Sequence, residues 1–394
     1  MQKGNVLVIG NSGAGKSTLI NAIFGEERAQ ANWGITGTTG ALNLYEGEKI
    51  PFRLIDTIGF EPSFLKRQKA IQAVKKWSKD STKEGGGDGQ INAIWFCVEG
   101  ASRKLFPEAI KHLVSATSMW KSVPIIVVIT KSYSVPERTQ NIQMVKEAFA
   151  KQKRRGNLRY IIPVVAATYS LNETAYAPPE GITELIEATN AVLPEGLQAA
   201  ESDMYSFVLA RKRSLAYGVV AAATASGTAV GAIPIPVADG LILAPLEVGV
   251  INAIAKIYGI GQDDKSKIFF DAIKEVGTVS VAAKTAISAL KAIPGINLGA
   301  SVLNAIIAGS FVAAIGEGTI YAFEQVYLGK KTLDDVDWVK KLIESKLSTG
   351  FVNKVTTVID SVSKGGGGKD MAKLIFGLFK GVSYSSDVSQ KQKL

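Results

Sequence analysis

The sequence has almost none of the residues that build several common kinds of site. Its 394 residues include one cysteine, Cys97, and one histidine, His112. A single cysteine cannot form a disulfide within the chain, so we expect a reducing compartment. One histidine likewise excludes a zinc site built on several histidines and argues against a histidine-dependent catalytic triad.

Aromatic residues are also scarce, at 8% of the chain, whereas apolar residues reach 46%. The apolar content is therefore largely aliphatic, which is typical of a globular protein rather than a disordered one. The first residues, MQKGNVLVIG, lack the long apolar run and the cleavage site of a signal peptide. We expect a cytoplasmic protein, with peripheral attachment to the inner face of a membrane as an alternative.

Positive charge exceeds negative charge, with a formal net charge of +10 and a pI near 9.3. Such a balance favours nucleic acid or an anionic membrane as a partner only where the charges cluster. The densest cluster is KQKRRGNLR, residues 151–159. It is either a binding patch or the solvated end of a helix that runs into a strand, and nucleic acid is the less favoured partner.

The first half of the chain alternates short β-branched segments with helical patterns. At about 150 residues per domain the length indicates at least two domains, and the alternation marks residues 1–198 as the first. It predicts an α/β domain with a mostly parallel sheet and helices on both faces. The predicted strands are NVLVIG, PFRLIDT, INAIWFCV, PIIVVIT and YIIPVVAA.

The second half loses this alternation and is rich in small apolar residues. It predicts an all-helical domain over residues 199–362, followed by a glycine-rich linker, a short helix and a polar tail over 363–394. Two charge-free stretches, 214–237 and 292–316, are long enough to span a bilayer. Their alanine, glycine, serine and threonine content also suits close helix packing. A packed bundle, a bundle that touches a membrane and an inserted hairpin all stay open.

A glycine-rich motif follows the first predicted strand. In GNSGAGKS, Gly10, Gly15, Lys16 and Ser17 fit the pattern G-x-x-x-x-G-K-[ST] of a phosphate-binding loop. Glycines let backbone N–H groups converge on phosphate oxygens, lysine offers a positive charge, and the serine hydroxyl can bind Mg²⁺. The predicted phosphate-binding residues are Asn11, Ser12, Gly13, Ala14, Gly15, Lys16, Ser17 and Thr18.

A second polar motif, FRLIDTIGF, places Asp56 at the end of a strand and Gly59 shortly after it. An acid at the carboxyl edge of a parallel strand faces the phosphate loop, where it can hold Mg²⁺, while the Gly59 N–H can sense the γ-phosphate. Thr39, with Thr38 as the alternative, lies in a loop that can complete the metal shell when triphosphate is bound. The predicted metal ligands are Ser17, Thr39 and Asp56.

The motifs GNSGAGKS, GTTG, DTIG, AIWFCVEG and TKSY together resemble translation-factor-related P-loop GTPases, with Era-like, septin-like and interferon-inducible groups as the nearest in character. The resemblance covers roughly residues 3–195. Residues 205–328 resemble a helical domain of unknown function that is fused to such GTPases in bacteria. The resemblance implies a G domain that uses GTP, GDP and Mg²⁺, and a dynamin-like or immunity-related-like switch for self-association or membrane contact. An Era-like protein associated with RNA or the ribosome is the alternative.

The resemblance also implies a base-binding site, and there the sequence departs from the family. Thr130 and Lys131 match the guanine motif [NT]-K-x-D, but Tyr133 replaces its aspartate. A tyrosine hydroxyl cannot supply the two acceptor oxygens of a carboxylate. Ser134 and Glu137 are nearby substitutes, and the main-chain N–H groups of Ala166 and Ala167 are expected at the base.

A further departure concerns hydrolysis. Phe60 stands where related enzymes place the glutamine that positions water, and Gly13 stands where potassium-assisted relatives carry asparagine. We therefore expect slow intrinsic hydrolysis that depends on Glu61, a partner or a dimer contact. The predicted catalytic residues are Lys16, Thr39, Gly59 and Glu61.

Overall fold

The computed structural model divides the chain into two compact units. The first comprises Met1–Ala167 and Pro179–Lys212, and the second Thr168–Pro178 and Arg213–Leu394. The residues that the structure describes are 3–24, 30–31, 42–47, 50–57, 72–76, 89–101, 106–118, 120, 122–153, 155–170, 176–232, 244–261, 263–279, 285–286, 288–290, 298–364 and 371–380.

The first unit is built on a seven-stranded sheet. Its strands are β1 (Gly4–Gly10), β2 (Gln30–Ala31), β3 (Leu42–Glu46), β4 (Phe52–Thr57), β5 (Ile91–Glu99), β6 (Ile125–Thr130) and β7 (Leu158–Pro163). They lie in the order β2-β3-β4-β1-β5-β6-β7. The pairs from β4 to β7 are parallel, whereas β3 and β2 extend the edge antiparallel.

Helices accompany this sheet, as parallel strands require. The helices of the first unit include α1 (Lys16–Phe24), α2 (Phe106–Ala116), α3 (Val135–Ala150), α4 (Ile182–Val192) and the start of α5 (Glu201–Gly231). β1, β5 and β6 are buried almost throughout, because covered parallel strands have no solvent face. Trp95 lies at the centre of β5, where its indole donates a hydrogen bond to the Thr189 hydroxyl at 3.0 Å.

The residues of the second unit that the structure describes form helices and a small hairpin. The rest of α5 is followed by α6 (Ala244–Tyr258), α7 (Asp264–Val279), α8 (Ala300–Tyr327), α9 (Val336–Lys346), α10 (Thr349–Ser363) and α11 (Met371–Phe379). The hairpin pairs β8 (Tyr169–Ser170) with β9 (Tyr176–Ala177).

Helix α8 is the centre of the second unit and packs on α6, α7, α9, α10 and α11. It is long and apolar enough to cross a membrane, and it alone passes that test among the described helices, but 72% of its most apolar window is buried inside the structure. Its buried carboxylates are paired, since Glu324 accepts from Arg213 Nε at 2.7 Å and Glu317 contacts Lys346 Nζ at 2.6 Å. Burial among other helices therefore explains the apolar character of this helix, including its charge-free part up to Gly316.

The predicted fold class is confirmed: a mostly parallel sheet with helices is followed by a helical region. All five predicted strands are present, with YIIPVVAA beginning earlier and ending at Pro163. The antiparallel edge strands and the hairpin were not predicted, because strands of two to five residues carry too few alternations to be detected. The contacts divide the chain inside α5, at Lys212 and Arg213, rather than near residue 198, since one continuous helix runs through this region.

Candidate functional site

The predicted phosphate loop joins the carboxyl end of β1 to helix α1. It turns through two left-handed positions, Gly13 with φ 80° and Gly15 with φ 77°. Residues with a Cβ rarely adopt this conformation, so the glycine spacing of the motif is what permits the turn. Leu19 N–H donates to Gly15 O at 2.9 Å, which starts α1 and leaves the first amides of the helix directed toward the loop.

Lys16, the lysine of the motif, folds back over this loop. Its Nζ donates to Gly10 O at 2.9 Å and lies 3.3 Å from Asn11 O. The side chain is half-buried, while Ser17 and Thr18 are exposed. An ammonium, a helix N-terminus and exposed hydroxyls thus converge on one face, which is the chemistry of an anion site for phosphate groups.

Asp56 lies beside the phosphate loop because β4 pairs parallel with β1 and places Asp56 opposite Val8. Asp56 is 6% exposed. Burial raises the pKa of Asp56 to about 6, although the positive charge of Lys16 lowers it. Its Oδ1 atom is buried and has no hydrogen-bond partner among the described residues. A buried carboxylate oxygen of this kind is costly unless a cation or a donor meets it.

Asp56 and Ser17 therefore fit a divalent cation. Oxygen ligands suit Mg²⁺: Asp56 Oδ1 has no hydrogen-bond partner among the described residues, and the Ser17 hydroxyl is exposed on the first turn of α1. Thr39, the third predicted ligand, lies outside the described residues, as do Gly59 and Glu61. No cluster of three or more His, Cys, Asp or Glu side chains occurs among the described residues, so any Mg²⁺ here would need phosphate oxygens or water to complete its shell.

Replacing Asp56 by asparagine tests this assignment through stability. The folded pKa of the aspartate, near 6, exceeds its unfolded value, near 3.9. Below pH 4 the carboxyl is neutral in both states, and the penalty for burying its charge develops between pH 4 and pH 6. We expect Asp56→Asn to raise the free energy of unfolding by about 2 kcal/mol at pH 7 and by little at pH 4.

Urea unfolding of the nucleotide-free protein without Mg²⁺, at several pH values, measures this effect. The control is Asp203→Asn, because Asp203 is an exposed aspartate of the same unit. A stability gain that does not change between pH 4 and pH 7 would show that Asp56 carries no burial penalty. If Asp56 has the expected burial penalty, added Mg²⁺ should reduce the difference in the free energy of unfolding between Asp56→Asn and the unmodified protein, since Mg²⁺ binds the carboxylate and not the amide.

The predicted base-binding loop follows β6 at the same edge of the sheet. Thr130 Oγ1 lies 2.7 Å from Ala14 O and 3.1 Å from Val98 O, so it connects this loop to the phosphate loop and to β5. Lys131 has a positive φ of 53°, and its Nζ forms a salt bridge with Glu99 Oε1 at 2.7 Å. The structure thus places Thr130 against the phosphate loop and Lys131 next to it in the chain, while the base-binding role of both residues stays a prediction.

The second base-binding segment runs next to the first. Val164 N–H donates to Ile129 O at 2.7 Å, and Ser132 N–H donates to Val164 O at 3.1 Å. These two hydrogen bonds place Ala166 and Ala167 on the loop that adjoins Thr130 and Lys131. Ala166 is half-buried and Ala167 is exposed.

Sequence reasoning missed three residues at this site: Glu99, Arg138 and Glu180. Glu99 pairs with Lys131, while Arg138 Nη1 contacts Glu180 Oε1 at 2.6 Å and Arg138 Nε donates to Ser132 O at 2.9 Å. Glu99 ends a strand beside Thr130, and this position was a detectable signal. Arg138 and Glu180 lie on separate elements, and no local pattern indicates that they meet.

Comparison with known families supports this reading of the site. Residues 5–131 match the family model described as 50S ribosome-binding GTPase. The match begins in β1 and ends at Lys131, so it includes the phosphate loop, Asp56 and the first base-binding residues. The first unit thus carries a G domain of the P-loop GTPase class.

Curated relatives match a short part of the chain. The protein called GTPase Der in Ralstonia pickettii is 36% identical over 88 residues, which are 22% of this chain and 19% of that protein. GTPase Der of Neisseria meningitidis is 45% identical over 73 residues, or 18% of this chain and 14% of that protein. The chain therefore spans less than a fifth of the length of these relatives.

Among solved structures, Toc33 from Arabidopsis thaliana aligns with 13% identity and a TM-score of 0.30, covering 48% of this chain and 83% of that one. The structure titled LeoA bacterial dynamin GTPase from ETEC aligns with 12% identity and a TM-score of 0.31, covering 92% and 68% of the two chains. Neither similarity is strong enough to bear on function.

Proposed function

We propose that this protein binds GTP with Mg²⁺, hydrolyses it slowly to GDP and phosphate, and uses its nucleotide state to switch the helical unit. The observation that carries this proposal is the meeting of Lys16, the N-terminus of α1 and Asp56 at one edge of the sheet, where Asp56 Oδ1 has no hydrogen-bond partner among the described residues. The match to a GTPase family model over the same residues supports GTP as the nucleotide.

The chain's own groups have separate tasks in this proposal. The amides of the phosphate loop bind phosphate oxygens, and Lys16 leaves Gly10 O and Asn11 O to neutralise phosphate charge. Ser17 and Asp56, with Thr39 as the third proposed ligand, would hold Mg²⁺, which supplies further charge neutralisation when it is bound. Thr130 keeps the base loop in register with the phosphate loop through Ala14 O.

The proposed slow hydrolysis follows from the residue that comes after the DTIG motif. Phe60 has no group that can orient water, so Glu61, a partner or a second copy of the chain must do so. A partner or second copy would explain a switch that is coupled to assembly.

Two outputs of the switch are proposed, self-association and contact with an anionic membrane. Self-association can occur through the surface of the helical unit without any opening of the bundle. Membrane contact through α8 requires the bundle to open, because the helix is buried among its neighbours. We also propose that the protein lies in the cytoplasm, at times on the inner face of a membrane.

The dependence of the GTP hydrolysis rate on protein concentration tests the proposed switch. We expect the single-turnover rate constant for GTP hydrolysis to rise about tenfold or more between dilute and concentrated protein, because a second copy supplies the missing group. Flotation with vesicles of anionic lipid, in GDP and in a non-hydrolysable GTP analogue, tests the membrane output in parallel. A rate that does not depend on concentration, together with no flotation in either state, would overturn the switch but leave nucleotide binding intact.

Association with the ribosome or another RNA is the second candidate function. Two observations favour it: the matching family model is named for 50S ribosome binding, and Lys151, Lys153 and Arg159 of the basic cluster are exposed. This function predicts binding that weakens steeply as salt is raised, since it rests on contacts with phosphate. Self-association through a packed helical surface is far less sensitive to salt.

A further inference from the structure

An open groove lies at the amino ends of strands β6 and β7 in the first unit. It is lined by Pro124, Arg159, Tyr160, Ala191 and Val192. Its volume is about 430 Å³. Because β6 and β7 are parallel, the phosphate and base loops lie at the other, carboxyl ends of the strands. The groove is therefore separated from the nucleotide site by the length of β6, which is about 20 Å.

Two neighbouring residues of β7, Arg159 and Tyr160, are both exposed and both line this groove. Successive side chains of a regular strand point to opposite faces of the sheet. Here the pairing advances by one residue in β6 but by two in β7, so Arg159 is the extra residue of a β-bulge. Leu158 and Ile161, on either side of this pair, pack against the core. The bulge thus presents a guanidinium and a phenol ring side by side.

The walls of the groove are held by hydrogen bonds to the rest of the unit. Asn157 Nδ2 donates to Val123 O at 2.9 Å, which ties the turn before β7 to the turn before β6. The opposite wall is the end of α4, where the Thr189 hydroxyl accepts from the Trp95 indole of β5 at 3.0 Å. The groove is therefore formed before any ligand arrives, as is usual for binding sites.

The chain segment that enters the groove is strongly basic. Residues 151–159 contain five Lys or Arg and no Asp or Glu. Lys151 and Lys153 are exposed between α3 and β7, and Arg159 carries the positive charge into the groove. Lys153 precedes Arg159 by six residues, which limits the distance between their Cα atoms to about 20 Å. A flexible chain of phosphate groups can contact the groove and this basic segment together.

An extended acidic peptide and a nucleic acid both complement this charge, and the bulge favours the nucleic acid. A peptide would bind as an added strand along β7, which is the edge of the sheet, through regular main-chain hydrogen bonds. A β-bulge interrupts the regular ladder that such a strand needs. An exposed aromatic ring beside an arginine instead suits a base that stacks on the ring while its phosphate meets the guanidinium.

We propose that this groove binds single-stranded nucleic acid, with one base stacked on Tyr160 and with phosphates bound by Arg159, Lys153 and Lys151. The strand must be single because a base inside a duplex has no free face to stack on the ring. A tyrosine ring accepts every base, so sequence preference is weak. This inference rests on the second candidate function, association with RNA, and names its site and the form of its ligand.

Fluorescence anisotropy with labelled oligonucleotides and the full-length protein tests the proposal. The probes are oligouridine and oligothymidine of about ten nucleotides, a length typical of single-strand binding sites, and an RNA duplex of about ten base pairs. We expect the single strands to bind at least about tenfold more tightly than the duplex, because only they can stack on Tyr160. Binding of oligothymidine without oligouridine would support the groove but would contradict RNA as its ligand.

Variants of the aromatic residue locate the stacked base. We expect Tyr160→Ala to lower the affinity for oligouridine about tenfold, and Tyr160→Phe, which keeps the ring, to stay within about twofold. The matched control is Tyr205→Ala, because Tyr205 is 44% exposed in the same unit and Tyr160 is 42% exposed. An abasic strand of equal length should bind Tyr160→Ala and the unmodified protein equally, since it has phosphates but no bases.

Variants of the arginine test the phosphate contact. Arg159→Ala should weaken oligouridine and the abasic strand alike, and should reduce the slope of log affinity against log salt by about 0.7, the value for one phosphate of a single strand. Arg159→Lys keeps the charge and should restore the slope. The affinity of each variant for a fluorescent GTP analogue should stay within about twofold, because the groove is distant from the nucleotide site.

Three results would overturn the proposal. Equal binding of duplex and single strand would exclude stacking, and an unchanged affinity of Tyr160→Ala would place the nucleic acid elsewhere on the surface. Displacement of oligouridine by oligoglutamate of the same charge, at the same concentration, would show that charge alone is recognised. If no nucleic acid binds more tightly than about 10⁻⁴ M, the second candidate function fails as well. GTP binding, measured on the same samples, stands apart from either failure.

Discussion

Replacing Lys16 by alanine should lower the affinity for GTP by about a hundredfold or more. Hydrogen bonds to charged groups contribute about 1.5–3 kcal/mol each, and each 1.4 kcal/mol is about a factor of ten in affinity. Among the described residues, Lys16 Nζ hydrogen-bonds to two carbonyls of its own loop, those of Gly10 and Asn11. The substitution should therefore leave the fold intact while it removes the charge that meets the phosphates.

Titration with a fluorescent GTP analogue, together with urea unfolding, measures both parts of this expectation. Lys153→Ala is the matched control, since Lys153 is an exposed lysine of the same unit that lies at the end of α3. The control should bind nucleotide as the unmodified protein does. If Lys16→Ala kept its affinity within about threefold, the loop after β1 would not be the phosphate site.

Replacing Gly316 by leucine should destabilise the helical unit by about 3 kcal/mol. A Cβ atom at Gly316 would lie 2.6 Å from Val220 Cγ2 and 2.8 Å from Val220 Cγ1. Real Cβ contacts are not this short, so α5 and α8 would have to separate. Gly309 is similarly close to Thr228, at 2.4 Å from its Cγ2. The two glycines allow the backbones of these helices to approach within the bundle.

Gly218→Leu is the matched control, because it places the same side chain on an exposed position of α5 where a Cβ meets nothing within 4 Å. Leucine favours the helix over glycine, so we expect this variant to gain about 0.5–1 kcal/mol. Urea unfolding followed at 222 nm measures both changes, and added GTP identifies the transition of the G domain by stabilising it. A change of the same sign in both variants would mean that α8 is not packed against α5.

The parts of the site that could be predicted are those encoded by neighbouring residues. The phosphate loop requires glycines at Gly13 and Gly15 and a charge at Lys16, and a short segment specifies all three. Asp56 was predictable because it ends an apolar strand, and parallel strands end at one edge of a sheet. The sequence also showed that Tyr133 replaces the aspartate of the guanine motif, so that a carboxylate is missing there.

Contacts between distant segments could not be predicted in the same way. Thr130 meets Ala14 across 116 residues of chain, and Glu99 meets Lys131 across 32. Arg138 and Glu180 are ordinary polar residues in the sequence, and only the pairing of Val165 with Glu180 brings their side chains together. Local patterns specify turns and faces, whereas the partner of a side chain depends on which elements pack together.

The long apolar helix α8 also combines a local pattern with a tertiary contact. By itself the sequence predicted a helical second half with a charge-free, small-residue stretch over 292–316, most of which lies in this helix. It also determined the phosphate loop, whose chemistry is local. Only the tertiary structure decided that the helix is covered by other helices and that the base loops are held by Arg138. Burial and hydrogen-bond saturation are properties of the packed chain, and no segment has them alone.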